Sequence, residues 1–265
     1  MKNEDWLINL IEAYVGHYPQ WKKTRSSWQI PLIVAVDATD LRFAELKKQV
    51  GSSHLLPQDL LPSARSVICY FLPFATAIGR SNKEGTYSSD EWACAYLETN
   101  QLINDLNRHI QEEMGKLGHN AAVTPATHNF DQNTLLSNWS HRHIAVLAGL
   151  GSMGLNRMLI TDKGCCGRLG SLVSDMELNI QSAAESSACL YYFNQSCRKC
   201  IIRCPNGALS EGSFDRFKCY KLLLQNVEVH QNKGYVDACG KCASQIPCAF
   251  SNPVQKLQLG SKDTL

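Results

Sequence analysis

The sequence predicts an α+β fold in two parts, and three observations point to it. Stretches with helical spacing alternate with short β-rich apolar runs over residues 1–185. From about Ser186 the texture changes to cysteines, turns and short helices. Residues 253–265 carry neither pattern. The expected organisation is an α/β domain over 1–185, a cysteine-rich domain over 186–252 and a tail over 253–265.

Each element has its own signal. Trp6–Val15 places Leu7, Leu10, Ile11 and Tyr14 on one helical face. "PLIVAVDA" from Pro31 is a β-rich run that stops at Asp37, and "LRFAELKKQV" returns to a helical pattern. "ARSVICYFLPF" from Ala64 is continuously apolar and rich in Val, Ile, Tyr and Phe, as a buried strand is. Residues 90–117 form the longest helical stretch, with Gly118 placed to end it. "NAAVTPAT" reads as a strand, and "NWSHRHIAVLAGLG" as a helix ending at Gly149 or a strand feeding a glycine turn. "RMLIT" and "RLGSLVSD" read as strands around a tight "KGCCG" turn.

Composition narrows the function. The 265 residues are 44% hydrophobic and 19% charged, with a formal net charge of +2. That balance offers no electrostatic reason to expect a nucleic-acid partner. "MKNEDWLINL" lacks the basic start and apolar run of a leader, and no window reaches the length of a membrane span. A cytoplasmic protein without a membrane partner is expected. Its twelve cysteines are then free thiols rather than disulfides. Cys69 and Cys94 read as small buried hydrophobes.

"AVLAGLGSMG" contains a literal G-x-G-x-x-G at Gly149, Gly151 and Gly154, with Asp175 where a ribose-binding acid could sit. A dinucleotide fold needs a crossover helix between them, and β-prone "MLIT" and "GCCG" interrupt that stretch. The bend instead reads as a place where backbones approach closely.

Cysteine spacing is the strongest signal. "CRKCIIRCPNGAL", Cys197 to Leu209, matches three of the four cysteines of the run C-x2-C-x2-C-x3-C-P that holds two iron–sulfur clusters. The remaining position is Asn194, whose amide oxygen is a poor substitute for thiolate. In that pattern one cluster takes Cys204, Cys219, Cys239 and Cys242, a full set. The other takes Cys197, Cys200 and Cys248 and lacks a ligand. Cys189 can supply it, since its tether to Cys197 reaches about 26 Å when extended. A three-iron cluster or an open iron site is the alternative, and a zinc ribbon is the competing reading of the C-x2-C pairs. The vicinal pair Cys165–Cys166 reads as a tight turn with unreactive thiols.

Four stretches, "LLPSARSVICYFLPF", "AGLGSMGLNRMLIT", "CRKCIIRCPNGAL" with "FKCYKLL", and "CGKCASQIPC", resemble the epoxyqueuosine reductase and reductive dehalogenase superfamily. The resemblance covers about residues 55–250. It implies a nitroreductase-like corrinoid-binding domain followed by a two-cluster bacterial-ferredoxin-like domain. It also implies cobalamin held near a cluster, with flavin the less expected occupant. Ser140 and the bend glycines Gly149, Gly151 and Gly154 would border the corrinoid. The family's lysine after the glycine turn is replaced in "GLNRM", and the helical-repeat domain of the tRNA-acting members is missing, which argues against tRNA as substrate. Asp131 is the nearest match to the family's catalytic aspartate, several residues out of register. His141 and His143 are candidate acid–base groups or corrinoid ligands, histidine being suited to proton transfer near neutrality.

The expected function is an iron–sulfur oxidoreductase that passes single electrons from two clusters to a corrinoid-type cofactor for reduction of a small substrate. A non-catalytic electron carrier or corrinoid-handling protein, working with a redox partner protein, is the alternative.

Overall fold

The computed structural model describes residues 2–181 and 187–260, so the expected boundary at 185/186 lies outside the described residues. In chain order the elements are α1 (Asn3–Lys22), β1 (Leu32–Asp37), α2 (Arg42–Gln49), α3 (Pro57–Leu60), β2 (Ser66–Pro73), α4 (Thr76–Ser81), α5 (Asp90–Lys116) and β3 (Ala121–Val123). They continue as α6 (His141–Leu147), β4 (Ser152–Met153), β5 (Leu159–Ile160), β6 (Gly167–Ser174), α7 (Leu190–Asn194), α8 (Lys199–Ile202), α9 (Arg216–Val229) and α10 (Pro253–Gly260).

β2 is buried along its whole length because it lies inside a four-stranded antiparallel sheet of order β1-β2-β6-β3. Its side chains alternate between the two faces, as pleating requires. Ile68, Tyr70 and Leu72 pack under Leu7, Ile11 and Val15 of α1 and Leu102, Leu106 and Ile110 of α5. Val67, Cys69 and Phe71 pack under Phe43 and Leu46 of α2 and Ile144 and Ala145 of α6. The result is three layers, helix–sheet–helix. The sheet buries both faces without being parallel, so β2 carries the unbroken apolar run usual for parallel strands.

α5 starts where Ser89 accepts a hydrogen bond from the Trp92 amide, and it ends before Gly118 at φ +83°. α1 runs past Pro19 to Lys22 because its apolar face continues to Tyr18, whose hydroxyl donates to Asp105 at 2.9 Å. The ambiguous "NWSHRHIAVLAGLG" segment forms α6, terminated by Gly149 at φ +79°. Residues 253–260, expected as tail, form α10, with Asn252 accepting from the Val254 amide at 3.1 Å and Pro253 at the first turn. Cys69 is fully buried, but Cys94 is only half-buried and its sulfur accepts from Arg25. Among the described residues no helix is long and apolar enough to cross a membrane.

The glycine bend is a packing device. β4 turns back on β5 as an antiparallel pair, so no crossover helix follows it. A Cβ on Gly151 would lie 2.3 Å from the Ile160 carbonyl oxygen, and one on Gly154 would meet Asn156 Oδ1 at 2.6 Å. Asp175 binds the Asn120 amide at 2.9 Å and that residue's side chain at 2.9 Å, which accounts for its carboxylate.

A third apolar cluster joins α4 and the start of α5 to the cysteine-rich segment, through Phe74, Trp92, Cys166, Val236 and Ile246. The Gly151→Ala variant tests the bend: the hairpin must open, costing about 1–3 kcal/mol, read as a lower urea midpoint with unchanged slope.

Candidate functional site

Cys204, Cys219, Cys239 and Cys242 line one cavity of about 370 Å³. Cys204 follows α8, and its sulfur accepts from the Ala208 amide at 3.2 Å. Cys219 sits in the first turns of α9, whose start is capped by Asp215 accepting from Lys218 N. Cys239 and Cys242 flank Gly240 at φ +70°, where a Cβ would lie 2.1 Å from the Trp92 ring. Burial, and then the other thiols of the set, push the Cys219 thiol up to about 11 and Cys242 well above its usual value.

Cys189, Cys197, Cys200 and Cys248 line a second, narrower cavity with Leu155, Ile160 and Pro253. Burial pushes Cys200 up to about 12, and Cys248, Cys189 and Cys197 add to the rise. Cys189, at the N-cap of α7, therefore stands with the other three. Asn194 does not. Its side-chain oxygen accepts from the Ser196 amide at 3.2 Å and hydroxyl at 2.6 Å, on the surface.

Among the described residues no group of three His, Cys, Asp or Glu side chains is spaced to hold a single metal ion. Zinc would need its thiolates at about 2.3 Å from one ion. Each quartet of thiols instead surrounds a cavity. Desolvated neutral thiols in such sets become ligands by releasing protons as metal binds.

A cavity of about 650 Å³ adjoins the first. The two share Phe130, Arg142, Arg157, Met158, Arg168 and Phe214 among their walls. Arg142 keeps accessible surface because it opens onto this space, yet the protein around it is close enough that desolvation lowers its pKa, against the pull of Cys219 and Cys242.

Several expected site residues sit in this larger cavity, but not as free reactive groups. Ser140 caps α6 and hydrogen-bonds His143 Nδ1 at 2.7 Å. Burial, with Arg142 beside it, lowers the His143 pKa to about 4. His141 Nε2 donates to the Pro125 carbonyl at 3.0 Å, and its Nδ1 accepts from Ser171, which in turn accepts from Trp139. Both ring nitrogens are thus committed, and desolvation holds the ring neutral.

Two expectations need correction on placement. Asp131 lies outside the residues lining either cavity, exposed, accepting from the Thr134 amide at 2.8 Å and hydroxyl at 2.9 Å. Those bonds lower its pKa. Gly149, Gly151 and Gly154 line neither cavity and shape the hairpin. The vicinal Cys165 and Cys166, expected as a tight turn with unreactive thiols, are buried, their sulfurs donating to the Ala243 carbonyl at 3.7 and 3.3 Å.

Sequence reasoning missed a polar group in the same wall. Tyr96 donates a short hydrogen bond to Asp237, whose other oxygen meets His128 Nε2 at 3.1 Å. Arg168 stacks over the Tyr96 ring at 4.5 Å. Burial first, with Asp237 adding to it, pushes the Tyr96 hydroxyl up to about 12. The available signals were an arginine at the head of a buried strand and an aspartate two residues before Cys239.

No protein-family model matches the chain. The epoxyqueuosine reductases of Bacillus cereus and Francisella cf. novicida are 26% and 25% identical to it, over 72% and 91% of this chain. The chain spans 50% and 64% of their respective lengths. A solved epoxyqueuosine reductase carrying a tRNA-Tyr epoxyqueuosine-modified stem loop matches with a TM-score of 0.52 at 16% identity, over 89% of this chain and 64% of that one. A catabolic reductive dehalogenase matches with a TM-score of 0.55 at 17% identity, over 87% of this chain and 31% of that one. The expectation of no nucleic-acid partner therefore finds no support among these relatives. The chain is thus similar in sequence to epoxyqueuosine reductases, and its mixed α/β fold resembles theirs and that of the reductive dehalogenase.

Proposed function

We propose that the chain is an iron–sulfur oxidoreductase that reduces a small molecule in the joined cavities, and the observation that carries this reading is a complete thiol quartet opening onto them. Cys204, Cys219, Cys239 and Cys242 would hold one four-iron cluster, and Cys189, Cys197, Cys200 and Cys248 a second. The clusters, with a corrinoid in the larger cavity, would supply single-electron transfer when bound. The cysteine-rich segment and the layered domain before it would be the two functional parts. The relatives are reductases by name, which supports the class of reaction, and one solved epoxyqueuosine reductase carries a tRNA-Tyr stem loop.

The chain's own residues would orient, shield and protonate. Apolar Phe130, Met158 and Phe214 exclude water from the shared wall. Arg142 sets a positive charge against Cys219 and Cys242 and so favours their thiolate forms. His128 is 41% exposed while Asp237 is 6% exposed, so His128, Asp237 and Tyr96 form a hydrogen-bonded path from solvent to the cavity. Tyr96 remains protonated at neutral pH and is the group placed to deliver that proton. His141 and His143 would border the corrinoid with their ring nitrogens already engaged within the protein, His141 at both and His143 at Nδ1.

Anaerobic reconstitution followed by iron, sulfide and optical analysis tests the reading. About eight irons per chain are expected, and stoichiometric zinc without a charge-transfer band would end it. Added cobalamin should bind and be reduced by the reduced protein. Full iron without binding of cobalamin or flavin would favour the carrier. Cys189→Ser should empty one cluster or leave a three-iron form while Asn194→Ala changes nothing, and unchanged spectra in Cys189→Ser would remove Cys189 from the set. Tyr96→Phe should keep all its irons and lose about 10²-fold or more in turnover of any acceptor that the unmodified chain reduces. Equal turnover would exclude the phenol as proton source.

A further inference from the structure

Four arginines, Arg142, Arg157, Arg168 and Arg216, line both of the joined cavities. Against them the walls carry one carboxylate, Asp237, which already serves Tyr96 and His128. Confining like charges in a poorly hydrated space costs free energy unless an anion offsets them. The four are not equivalent. Arg142 donates to the Arg157 carbonyl at 2.5 Å and faces the Cys219 and Cys242 thiols. Arg216 is exposed and reaches the Thr134 carbonyl at 3.4 Å.

Arg157 and Arg168 are left over. The Nε atom of each is buried and has no hydrogen-bond partner among the described residues. An unsatisfied buried donor is costly, so two on one cavity call for an explanation. Arg168 lies over the Tyr96 ring at 4.5 Å, which fixes its plane and leaves its edge to meet a ligand. Arg157 holds a left-handed backbone at φ +61°, a strained conformation for a side chain of this size. Apolar Phe130, Leu135, Met158 and Phe214 line the same walls.

We propose that the joined cavities bind a small organic oxyanion, a carboxylate or phosphate ester with an apolar body, whose acid group is held by Arg157 and Arg168. A planar guanidinium edge pairs two N–H donors with two oxygens, which is why arginine suits this chemistry. The inference names the ligand chemistry of the cavity assigned above to substrate and cofactor, and rests on that reading. The oxyanion has two sources, a substrate's acid group or the phosphodiester of a corrinoid nucleotide loop.

The test uses the iron-loaded chain, with binding read from the fluorescence of Trp92 and Trp139, which line the two cavities. Phenylacetate and phenyl phosphate are titrated beside uncharged phenylacetamide, and iron is counted in every sample. The anions should bind about tenfold or more tighter than the amide. Arg157→Gln and Arg168→Gln should each abolish that preference at unchanged iron content. Arg168→Lys, which keeps the charge and loses the fork, should recover only part of it. Cobalamin is then compared with cobinamide, which lacks the phosphodiester. Competition with phenyl phosphate by cobalamin alone assigns the oxyanion to the cofactor, and absence of competition assigns it to the substrate. Equal affinity for acid and amide, or glutamine variants that keep the preference, would overturn the proposal. Loss of iron in both glutamine variants would overturn it too, by showing that the arginines serve the clusters. A chain that takes up no iron but still prefers the anions would sink the redox reading and leave the oxyanion site standing.

Discussion

Two consecutive amides hold the candidate site in place. Cys165 N donates to the Cys248 carbonyl at 2.9 Å and Cys166 N to the Ala249 carbonyl at 2.9 Å, immediately before β6 begins. Gly164, at φ +80°, lets the chains meet: a Cβ there would lie 2.4 Å from the Ala249 carbonyl oxygen. The central sheet thus grips the far end of the cysteine-rich segment directly. From this junction the Cys165 thiol reaches the Ala243 carbonyl at 3.7 Å, and Asn156 reaches the Cys242 carbonyl at 2.8 Å. Both thiol quartets are positioned from one seam, so a shift at the seam would move both. Because Cys165, Cys166 and Ala249 are buried, the polar backbone groups of the seam have to pair with each other.

Charge is arranged around the first quartet with a consistent sign. Arg142 approaches it from the cavity side, while Lys241 and Arg203 lie behind it and favour the Cys239 thiolate. Lys241 is 1% exposed and donates to the Glu84 carbonyl at 2.5 Å, and Arg203 donates to the Lys83 carbonyl at 3.0 Å. The same two cations therefore fasten the segment between α4 and α5 onto the cysteine turn. Burial lowers the Lys241 pKa, and the Cys239 thiolate opposes that fall. This gives the quartet a positive surrounding that a mostly apolar pocket could not provide.

Much of the layered domain was legible because its signals are local. The apolar runs of β1 and β2, the face of α1 and the Ser89-to-Gly118 span of α5 each depend on neighbours a few residues away. Short elements were less so. β4 and β5 are two residues each and exist only as a pair, and α6 was open between helix and strand until Trp139 and Phe71 covered its apolar side. The α10 segment lacks a strong pattern, and its Val254 is buried only because the folded chain covers it.

By itself the sequence determined where thiols cluster, since residue type and the Cys-Pro spacing are properties of short separation. It also determined that Asn194 breaks that spacing. Only the tertiary structure decided that Cys189 stands with Cys197, Cys200 and Cys248, because a tether of eight residues permits many endpoints and packing selects one. Tertiary structure also brought Tyr96 to Asp237, 141 positions later in the chain. It likewise gathered Arg142, Arg157, Arg168 and Arg216 onto shared walls. Residues from α5, α6, the β4–β5 turn, β6 and α9 meet there through the burial of apolar faces, and no local pattern in the chain records where such faces come to rest.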